Sequence, residues 1–276
     1  MKIPKKKKIL EALRHPSLIG YIAAKEYIKR YEGFSYRFDC NGEAQLMKAL
    51  SSETIHTVFD VGANVGDWTT IALKNFPQAT IHAFELASST FADLQAKHPA
   101  TGRVKANNVG LSSEVGTITY KDYGPHTTIN TILEKVDYHD ARLPFSKKQA
   151  ALTTGDIYCA ELDIESIDFL KIDVEGAEYQ VLQGFVRMLR SNSIKVIQFE
   201  YGYANGDANY LMKDFFSLLN GYGYLIGPLK PQGVIFSDFK YPLNNFTSGP
   251  NFVAVLASES GLVNKLAGKP IPGFPR

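Results

Sequence analysis

A glycine-rich turn is the first feature of the sequence that indicates a bound small molecule. It lies in the segment VFDVGANVGDWT, residues 58–69, where a short apolar run leads into Gly62 and Gly66. Gly62 allows a sharp turn at the end of a strand, and Gly66 lets the backbone approach a ligand closely, because glycine has no Cβ atom. Turns of this kind, between the first strand and the first helix of an open α/β sheet, bind nucleotides.

Acidic residues around this turn indicate which nucleotide it holds. Asp60 precedes the glycines, and Glu85 ends the next apolar run, where a carboxylate accepts hydrogen bonds from both ribose hydroxyls. The dinucleotide fingerprint GxGxxG has only its first glycine here, because Asn64 and Asp67 occupy the other two positions. At the start of a helix, Asp67 would also repel a pyrophosphate.

The expected ligand is therefore a nucleoside that carries positive charge and no phosphate. S-adenosylmethionine (SAM) has these properties, since it carries a sulfonium and an ammonium group. We expect Asp60 to face the ammonium group and Glu85 to hold the ribose. An NAD-dependent oxidoreductase on the same topology is the alternative enzyme class, which the incomplete fingerprint disfavours.

Two more carboxylates end later apolar runs and are candidates for the chemistry. Asp173 ends the segment IDFLKID, and Glu200 ends IKVIQFE. The carboxyl ends of parallel strands form the functional edge of such sheets. Methyl transfer to an alcohol is an in-line displacement that a nearby base accelerates by about 10²–10⁴-fold. We expect Asp173 to act as this base or to orient the acceptor, with His126 and Glu200 as the next candidates.

A bound cation is a further option, because Mg²⁺ prefers oxygen ligands and Asp173, Glu175 and Glu178 lie close in sequence. Some O-methyltransferases use such an ion to acidify the acceptor. The segment IQFEYGYANGD lacks the Asp-Asn pair that accompanies those sites, so we predict no metal site. Glu178 fits equally well as a carboxylate that complements a helix dipole.

Strands and helices alternate along most of the chain, which predicts the fold. Short apolar runs separated by helical segments are typical of a doubly wound α/β protein with a mostly parallel sheet, here of seven strands. Strands are predicted over residues 57–61, 80–85, 103–107, 167–173, 194–200, 222–226 and 252–256. Helices are predicted over residues 68–76, 88–97, 177–189 and 209–219.

Several segments resemble those of one family. Residues 167–184, IDFLKIDVEGAEYQVLQG, are similar to the hallmark segment of the FkbM family of methyltransferases. The segments FDCNGE, NVGLSSEVGTI, TTGDIYC and IQFEYG support the resemblance, which covers roughly residues 38–256. It implies the Rossmann-like fold of class I methyltransferases and a SAM-dependent methyl transfer, commonly to a hydroxyl oxygen of a sugar or polyketide-type acceptor.

The same resemblance implies individual site residues. Glu85 corresponds to the carboxylate that holds the ribose, and Asn107 or Asn108 falls where a residue after the third strand meets the adenine. The positions that correspond to the SAM-contacting turn are Asp60, Gly62, Asn64 and Gly66. The predicted function is SAM-dependent O-methylation of a sugar, a glycan or a related natural product. A non-catalytic glycan- or membrane-associated binding module with the same fold is the alternative.

The uneven distribution of charge indicates the domain organisation. The formal net charge is +2, yet residues 1–30 carry nine Lys or Arg and only two Glu. We predict a basic helical N-terminal extension, a SAM-binding methyltransferase domain with one insertion, and an extended C-terminal arm. The predicted bounds are 1–45 for the extension, 46–260 for the domain, about 109–150 for the insertion and 261–276 for the arm.

Location and partners are predicted from the same residues. No run of about eighteen apolar residues occurs, and the basic leader lacks the continuous apolar core of a secretory signal. We therefore expect a cytoplasmic protein with Cys40 and Cys159 as buried, unpaired thiols. The expected partner is a small-molecule or glycan acceptor and not a nucleic acid. The leader is expected either to cap the fold or to contact an anionic surface such as a membrane.

Overall fold

Alternating strands and helices surround one large sheet. The structure is a computed structural model that describes residues 16–31, 35–99, 102–124, 144–244 and 250–268. Its helices are α1 (Pro16–Tyr31), α2 (Glu43–Leu50), α3 (Asp67–Asn75), α4 (Ser88–Lys97), α5 (Gly155–Glu161), α6 (Glu178–Gln183), α7 (Val186–Arg190), α8 (Tyr203–Asp207), α9 (Met212–Asn220) and α10 (Ser260–Leu266), with a 3₁₀ turn at Tyr241–Asn244. Its strands are β1 (Thr57–Val61), β2 (Thr80–Phe84), β3 (Val104–Asn107), β4 (Gly110–Leu111), β5 (Gly116–Asp122), β6 (Ser146–Thr153), β7 (Ile167–Ile172), β8 (Ile194–Glu200), β9 (Tyr224–Lys230), β10 (Gly233–Val234) and β11 (Asn251–Leu256).

The large sheet has eight strands in the order β10-β9-β11-β8-β7-β1-β2-β3. Five of them, β8, β7, β1, β2 and β3, run parallel. Strand β11 is antiparallel to β8 and β9, and β10 is antiparallel to β9. The predicted α/β fold with a mostly parallel sheet is confirmed. The eighth strand, β10, was not predicted. It has only two residues, which are too few to show a periodic pattern in the sequence.

Helices cover both faces of this sheet, so the fold is doubly wound. Helices α5, α6, α7 and α9 pack on one face, around aromatic side chains such as Phe59, Phe185 and Phe215. Helices α2, α3 and α10 pack on the opposite face, around Leu50 and Phe169. Strands β7 and β11 are buried along their whole length, which explains their largely apolar sequences.

The predicted insertion forms a small second sheet in its described part. The strand order is β4-β6-β5, with β5 antiparallel to β6 and β4 parallel to it. Strand β5 matches the alternation that the sequence shows near Val115 to Tyr120. Strand β6 was not predicted, because the first four residues of SKKQAALT are exposed and show no apolar alternation.

The C-terminal segment differs from the prediction of an extended arm over residues 261–276. Helix α10 occupies Ser260–Leu266, because Leu262 and Leu266, one helical turn apart, are both buried against the core. The three prolines that suggested an extended chain lie in residues 269–276, outside the described residues.

Three smaller expectations have mixed outcomes. The helix predicted over residues 177–189 is divided into α6 and α7 around Gly184, where a Cβ atom would lie 2.1 Å from the carbonyl oxygen of Ser112. Both cysteines are unpaired, but Cys40 is exposed, whereas Cys159 is buried as expected. Among the described helices, none combines the length and the apolar character that crossing a membrane requires.

Candidate active site

A cavity opens at the carboxyl ends of β1, β2 and β7, at the sheet edge where the sequence predicts the site. The loops after these strands line it, together with residues of β4 and β6 from the small sheet. Four of the residues predicted from the sequence lie in its lining, namely Gly62, Asn64, Glu85 and Asp173. The insertion therefore closes over the strand ends and completes the cavity.

The turn after β1 is shaped by the strand beside it. Gly62 has a φ angle of +80°, and a Cβ atom there would lie 1.7 Å from the carbonyl oxygen of Asp173, so this position accepts only glycine. Asn64 also has a left-handed φ angle, of +49°, and its backbone N–H donates to Oε2 of Glu85 over 2.9 Å. The turn and the Glu85 carboxylate therefore hold each other in place.

Glu85 is fixed at both carboxylate oxygens. Oε2 accepts from the N–H of Asn64, and Oε1 accepts from the N–H of Ala87 over 2.8 Å. Burial raises the pKa of Glu85 above its ordinary value, while these two donors act in the opposite direction. Each carboxylate oxygen has a second lone pair, so Glu85 can still accept hydrogen bonds from a ligand in the cavity.

Lys171 is a functional residue that the sequence reasoning missed. It lies on β7 opposite Asp60 on β1, and its side chain is only 6% exposed. Its Nζ lies 3.2 Å from Oδ1 of Asp60 and 3.3 Å from Oδ2 of Asp173, and it donates to the carbonyl oxygen of Gly62 over 3.3 Å. Burial would lower the pKa of Lys171, but the carboxylates of Asp173 and Asp60 more than reverse this and raise it.

The same contacts change the role of Asp60. Its carboxylate is fully buried, with Oδ2 accepting from the hydroxyl of Thr69 over 2.6 Å and Oδ1 facing Lys171. The expectation that Asp60 faces the ammonium group of SAM is therefore not met, because its charge is already balanced inside the protein. Asp60 instead joins β1 to β7 and to the first turn of α3.

At Gly66, packing against neighbouring side chains explains the glycine, whereas the sequence suggested close approach to a ligand. Gly66 precedes α3 with a φ angle of +81°, and a Cβ atom there would lie 2.7 Å from the side chain of Leu94 and 2.8 Å from that of His98. Packing against α4 and its end therefore requires a glycine here. Gly66 is not among the residues that line the cavity, and its approach to a ligand stays a prediction.

Asn107, which ends β3, and Asn108, which follows it, make structural hydrogen bonds. The amide of Asn107 donates to the carbonyl oxygen of Lys105 over 2.8 Å, and that of Asn108 donates to the carbonyl oxygen of Glu85 over 2.9 Å. The cavity is lined here by the next residue, Val109. Contact of Asn107 or Asn108 with the adenine stays a prediction.

Apolar side chains form the wall beside Glu85. They come from the loops after β2 and β3 and from the small sheet, and they are Leu86, Val109, Leu111 and Leu152. Such a wall next to a few fixed polar groups is typical of a site for a planar heterocycle. Leu152 lies on β6, which the sequence did not predict to be a strand, so no local signal identified it.

Three carboxylates meet at the ends of β7 and β8. Oxygen atoms of Asp173, Glu175 and Glu200 all lie within 4.8 Å of one another. Burial raises the pKa of Glu200 well above its ordinary value, and the charge of Asp173 raises it further. Burial acts on Asp173 in the same direction, but Lys171 and a hydrogen bond with Glu200 lower its pKa below the ordinary value. These shifts in pKa favour a proton on Glu200 and the negative charge on Asp173.

Of the three predicted catalytic residues, the structure brings Asp173 and Glu200 into contact. His126 lies outside the described residues and stays a prediction. The cluster of Asp173, Glu175 and Glu200 contains the kind of oxygen ligand that a divalent cation takes. Glu178, which the sequence suggested as a third ligand, is directed elsewhere.

Glu178 fixes the loop after β7. It is 1% exposed, and its carboxylate accepts from the N–H of Val174 over 3.0 Å and from that of Gly176 over 3.1 Å. The amide of Asn205 donates to its Oε2 over 2.5 Å. Between the two backbone donors, Glu175 has a left-handed φ angle of +54°. A buried carboxylate with three donors can hold this unfavourable conformation. Glu178 therefore has a larger structural role than complementing a helix dipole.

Asn205 extends this connection to the loop after β8. Its Oδ1 accepts from the N–H of Gly202 over 2.8 Å, while its amide group binds Glu178. One loop begins with Asp173 and the other follows Glu200. The pair of Glu178 and Asn205 therefore sets the distance between the two carboxyl groups of the site.

Comparison with known proteins identifies the same region of the chain. A family model of the methyltransferase FkbM domain matches residues 60–226. The chain is 29% identical over 205 residues to 31-O-demethyl-FK506 methyltransferase FkbM of Streptomyces tacrolimicus, and the match covers 64% of this chain and 76% of that protein. It is 26% identical over 209 residues to hexuronic acid methyltransferase AglP of Haloferax volcanii, covering 74% of this chain and 82% of that protein.

Among solved structures, the chain is similar to SMU.1697c, a putative methyltransferase from Streptococcus mutans in complex with SAH. The TM-score is 0.41 and the identity 11%, over 78% of this chain and 96% of that chain.

We predict that Lys171→Met lowers the free energy of unfolding by about 3–5 kcal/mol, because it leaves the buried Asp60 carboxylate without a counter-charge. In an Asp60→Asn background the same change is expected to cost at least about 1 kcal/mol less. Denaturant unfolding of the four proteins of this cycle measures the difference. Strictly additive losses would show that Asp60 and Lys171 do not interact.

We also predict that Asn205→Ala loosens the loop after β7, because Glu178 loses one of its donors. The amides of Val174 and Gly176 are expected to exchange faster with deuterium, and stability to fall by about 1–3 kcal/mol. Asp207→Ala removes an exposed side chain from the same helix and is the matched control. Unchanged exchange at residues 174–176 in Asn205→Ala would rule out this connection.

Proposed function

The chain belongs to the FkbM family of methyltransferases and uses SAM as its methyl donor, and on that basis we propose that it methylates a hydroxyl oxygen. The proposed acceptor is a sugar, a glycan or a related natural product. The observation that carries the proposal is the carboxyl group of Asp173 in the cavity lining, whose Oδ2 lies 3.3 Å from Nζ of Lys171 and which adjoins Glu200. We expect it to accept the proton of the acceptor hydroxyl.

The cavity lining fits SAM in charge and in shape. Glu85, Asp173 and Glu175 line it, and none of its described lining residues is Lys or Arg. A cationic nucleoside suits such a site, whereas the phosphates of a dinucleotide would be repelled, which disfavours the NAD-dependent alternative. Glu85 would hold the ribose hydroxyls, and the apolar wall would hold the adenine. When bound, SAM supplies an electrophilic methyl carbon on its sulfonium.

Asp173 is the proposed proton acceptor. Its carboxylate would orient the acceptor hydroxyl and take its proton as the oxygen is methylated. Because Lys171 and Glu200 lower its pKa, Asp173 is a weak base towards a free alcohol. The hydroxyl becomes far more acidic as its oxygen is methylated, so we expect the proton to move late in the reaction. Glu200 and Lys171 keep Asp173 ionised until then.

Aromatic side chains near the carboxylates support a sugar acceptor. Tyr36 is 70% exposed, and desolvation and the charges of Glu200 and Glu175 raise its pKa, so its phenol lies within electrostatic range of the cluster. Tyr203 contributes to the same effect and is 52% exposed. Aromatic faces beside hydrogen-bonding carboxylates can bind the apolar face and the hydroxyls of one sugar ring.

The relatives' names agree with this acceptor class. One is named as a hexuronic acid methyltransferase and the other as a 31-O-demethyl-FK506 methyltransferase, which indicate a sugar acid and an oxygen atom of a natural product. For this chain, methylation at an oxygen atom and the choice of a sugar acceptor both belong to the proposal.

We predict that Asp173→Asn binds SAM within about twofold of the wild type but turns over about 10²–10⁴ times more slowly, because it removes the proton acceptor. Glu85→Ala is expected to weaken SAM binding at least about tenfold, because two ribose hydrogen bonds are lost. Calorimetry measures the binding, and mass spectrometry of candidate glycans incubated with methyl-labelled SAM measures the transfer.

Asp39→Asn is the matched control, since the Asp39 side chain is exposed and forms an ion pair with Arg37, two residues before it. It is expected to leave both readouts unchanged. Wild-type turnover in Asp173→Asn would remove Asp173 from the proposed role. SAM binding without methyl transfer to any sugar would instead favour the non-catalytic binding module.

A further inference from the structure

Helix α1 carries large apolar side chains that the fold leaves exposed. Every side chain from residue 17 to residue 28 is exposed. Six of these are large and apolar, with exposures of 41–70%, and they are Leu18, Ile19, Tyr21, Ile22, Tyr27 and Ile28. Exposed apolar area costs about 25 cal/mol per Å² relative to burial, so a further apolar surface would stabilise these side chains.

The arrangement of these side chains suits a lipid surface. Tyr21 and Ile22 follow Leu18 by three and four residues, and Ile28 follows Tyr21 by seven, so the four share one side of the helix. Lys25 lies among them, and its Nζ lies 5.3 Å from the centre of the Tyr21 ring. On a membrane, lysine stems run along apolar surface while their ammonium groups reach the headgroups, and tyrosine rings favour the same interface.

The charge of this region selects an anionic partner. Residues 1–30 carry nine Lys or Arg against two Glu, while the rest of the chain is acidic on balance. Two copies of such a segment would repel each other, so a second copy of the chain is a poor partner for α1. Basic residues beside an exposed apolar helix are instead the combination that binds anionic lipid surfaces.

We propose that α1, with the basic leader before it, docks on a membrane surface that contains anionic lipids. The apolar side chains would enter the boundary between headgroups and acyl chains, and the leader would bind the headgroup charges. Docking would hold the enzyme beside acceptors presented at that surface. The proposal depends on α1 and the leader only, and it is independent of the acceptor assigned to the active site.

Vesicle flotation of the full chain tests the proposal. We expect the wild type to float with vesicles of phosphatidylcholine and phosphatidylserine, to release as salt is added, and to stay unbound to phosphatidylcholine alone. Leu18→Ser/Ile22→Ser is expected to bind the anionic vesicles at least about tenfold more weakly. The same loss is expected when the four consecutive lysines of the leader, Lys5, Lys6, Lys7 and Lys8, are all replaced by Gln.

Val115→Ser/Leu162→Ser is the matched control, because it removes two aliphatic side chains that are 62% and 51% exposed on the main body. It is expected to bind like the wild type. Equal binding of wild type and Leu18→Ser/Ile22→Ser would overturn the proposal. The proposal would also be overturned if sedimentation showed a wild-type dimer that only Leu18→Ser/Ile22→Ser loses. Binding of the wild type to a soluble anionic polysaccharide as tightly as to the anionic vesicles would overturn it too. SAM affinity is expected to stay unchanged in all variants, so a failure here leaves the proposed reaction untouched.

Discussion

A single buried ammonium group organises the functional edge of this sheet. Lys171 lies between Asp60 on the neighbouring strand and Asp173 at the end of its own strand, within 3.3 Å of both carboxylates. The Asp60 carboxylate is fully buried and that of Asp173 is partly exposed, and a cation between them offsets the repulsion between their charges. The same ammonium donates to the carbonyl oxygen of Gly62, so it also ties the ligand-binding turn to the strand that carries Asp173.

The properties of the site follow from this arrangement. Lys171 lowers the pKa of Asp173 while burial raises that of Glu200, so a proton between the two carboxyl groups is favoured on Glu200. Glu178 and Asn205 hold the two loops that follow these carboxyl groups, and Glu85 is held separately by backbone N–H groups. The cavity is therefore bordered by fixed negative groups without a free cation in its described lining. This electrostatic environment suits a sulfonium donor.

Features that depend on local sequence were predictable, and those that depend on distant contacts were not. Strand β1 and strand β8 have the predicted bounds because buried parallel strands are short, apolar and interrupted by turn residues. Glu85 was identified because its distance from the glycine turn reflects the length of one strand and one helix. The partner of Asp60 lies 111 residues away on another strand, so its carboxylate was assigned to the ligand instead. A lysine inside the apolar run IDFLKID was the available signal, since a buried lysine requires a carboxylate partner.

Side-chain carbon-13 NMR of the aspartate and glutamate carboxyl groups tests the shared proton most directly. Asp173→Asn and Glu200→Gln assign the two signals, and a pH titration follows them. We predict that at neutral pH the Asp173 signal is that of a carboxylate and the Glu200 signal that of a neutral acid, because Lys171 stabilises charge on Asp173 and burial disfavours it on Glu200. Two carboxylate signals at neutral pH, each titrating near its ordinary pKa, would contradict this electrostatic basis for the proposed methyl transfer.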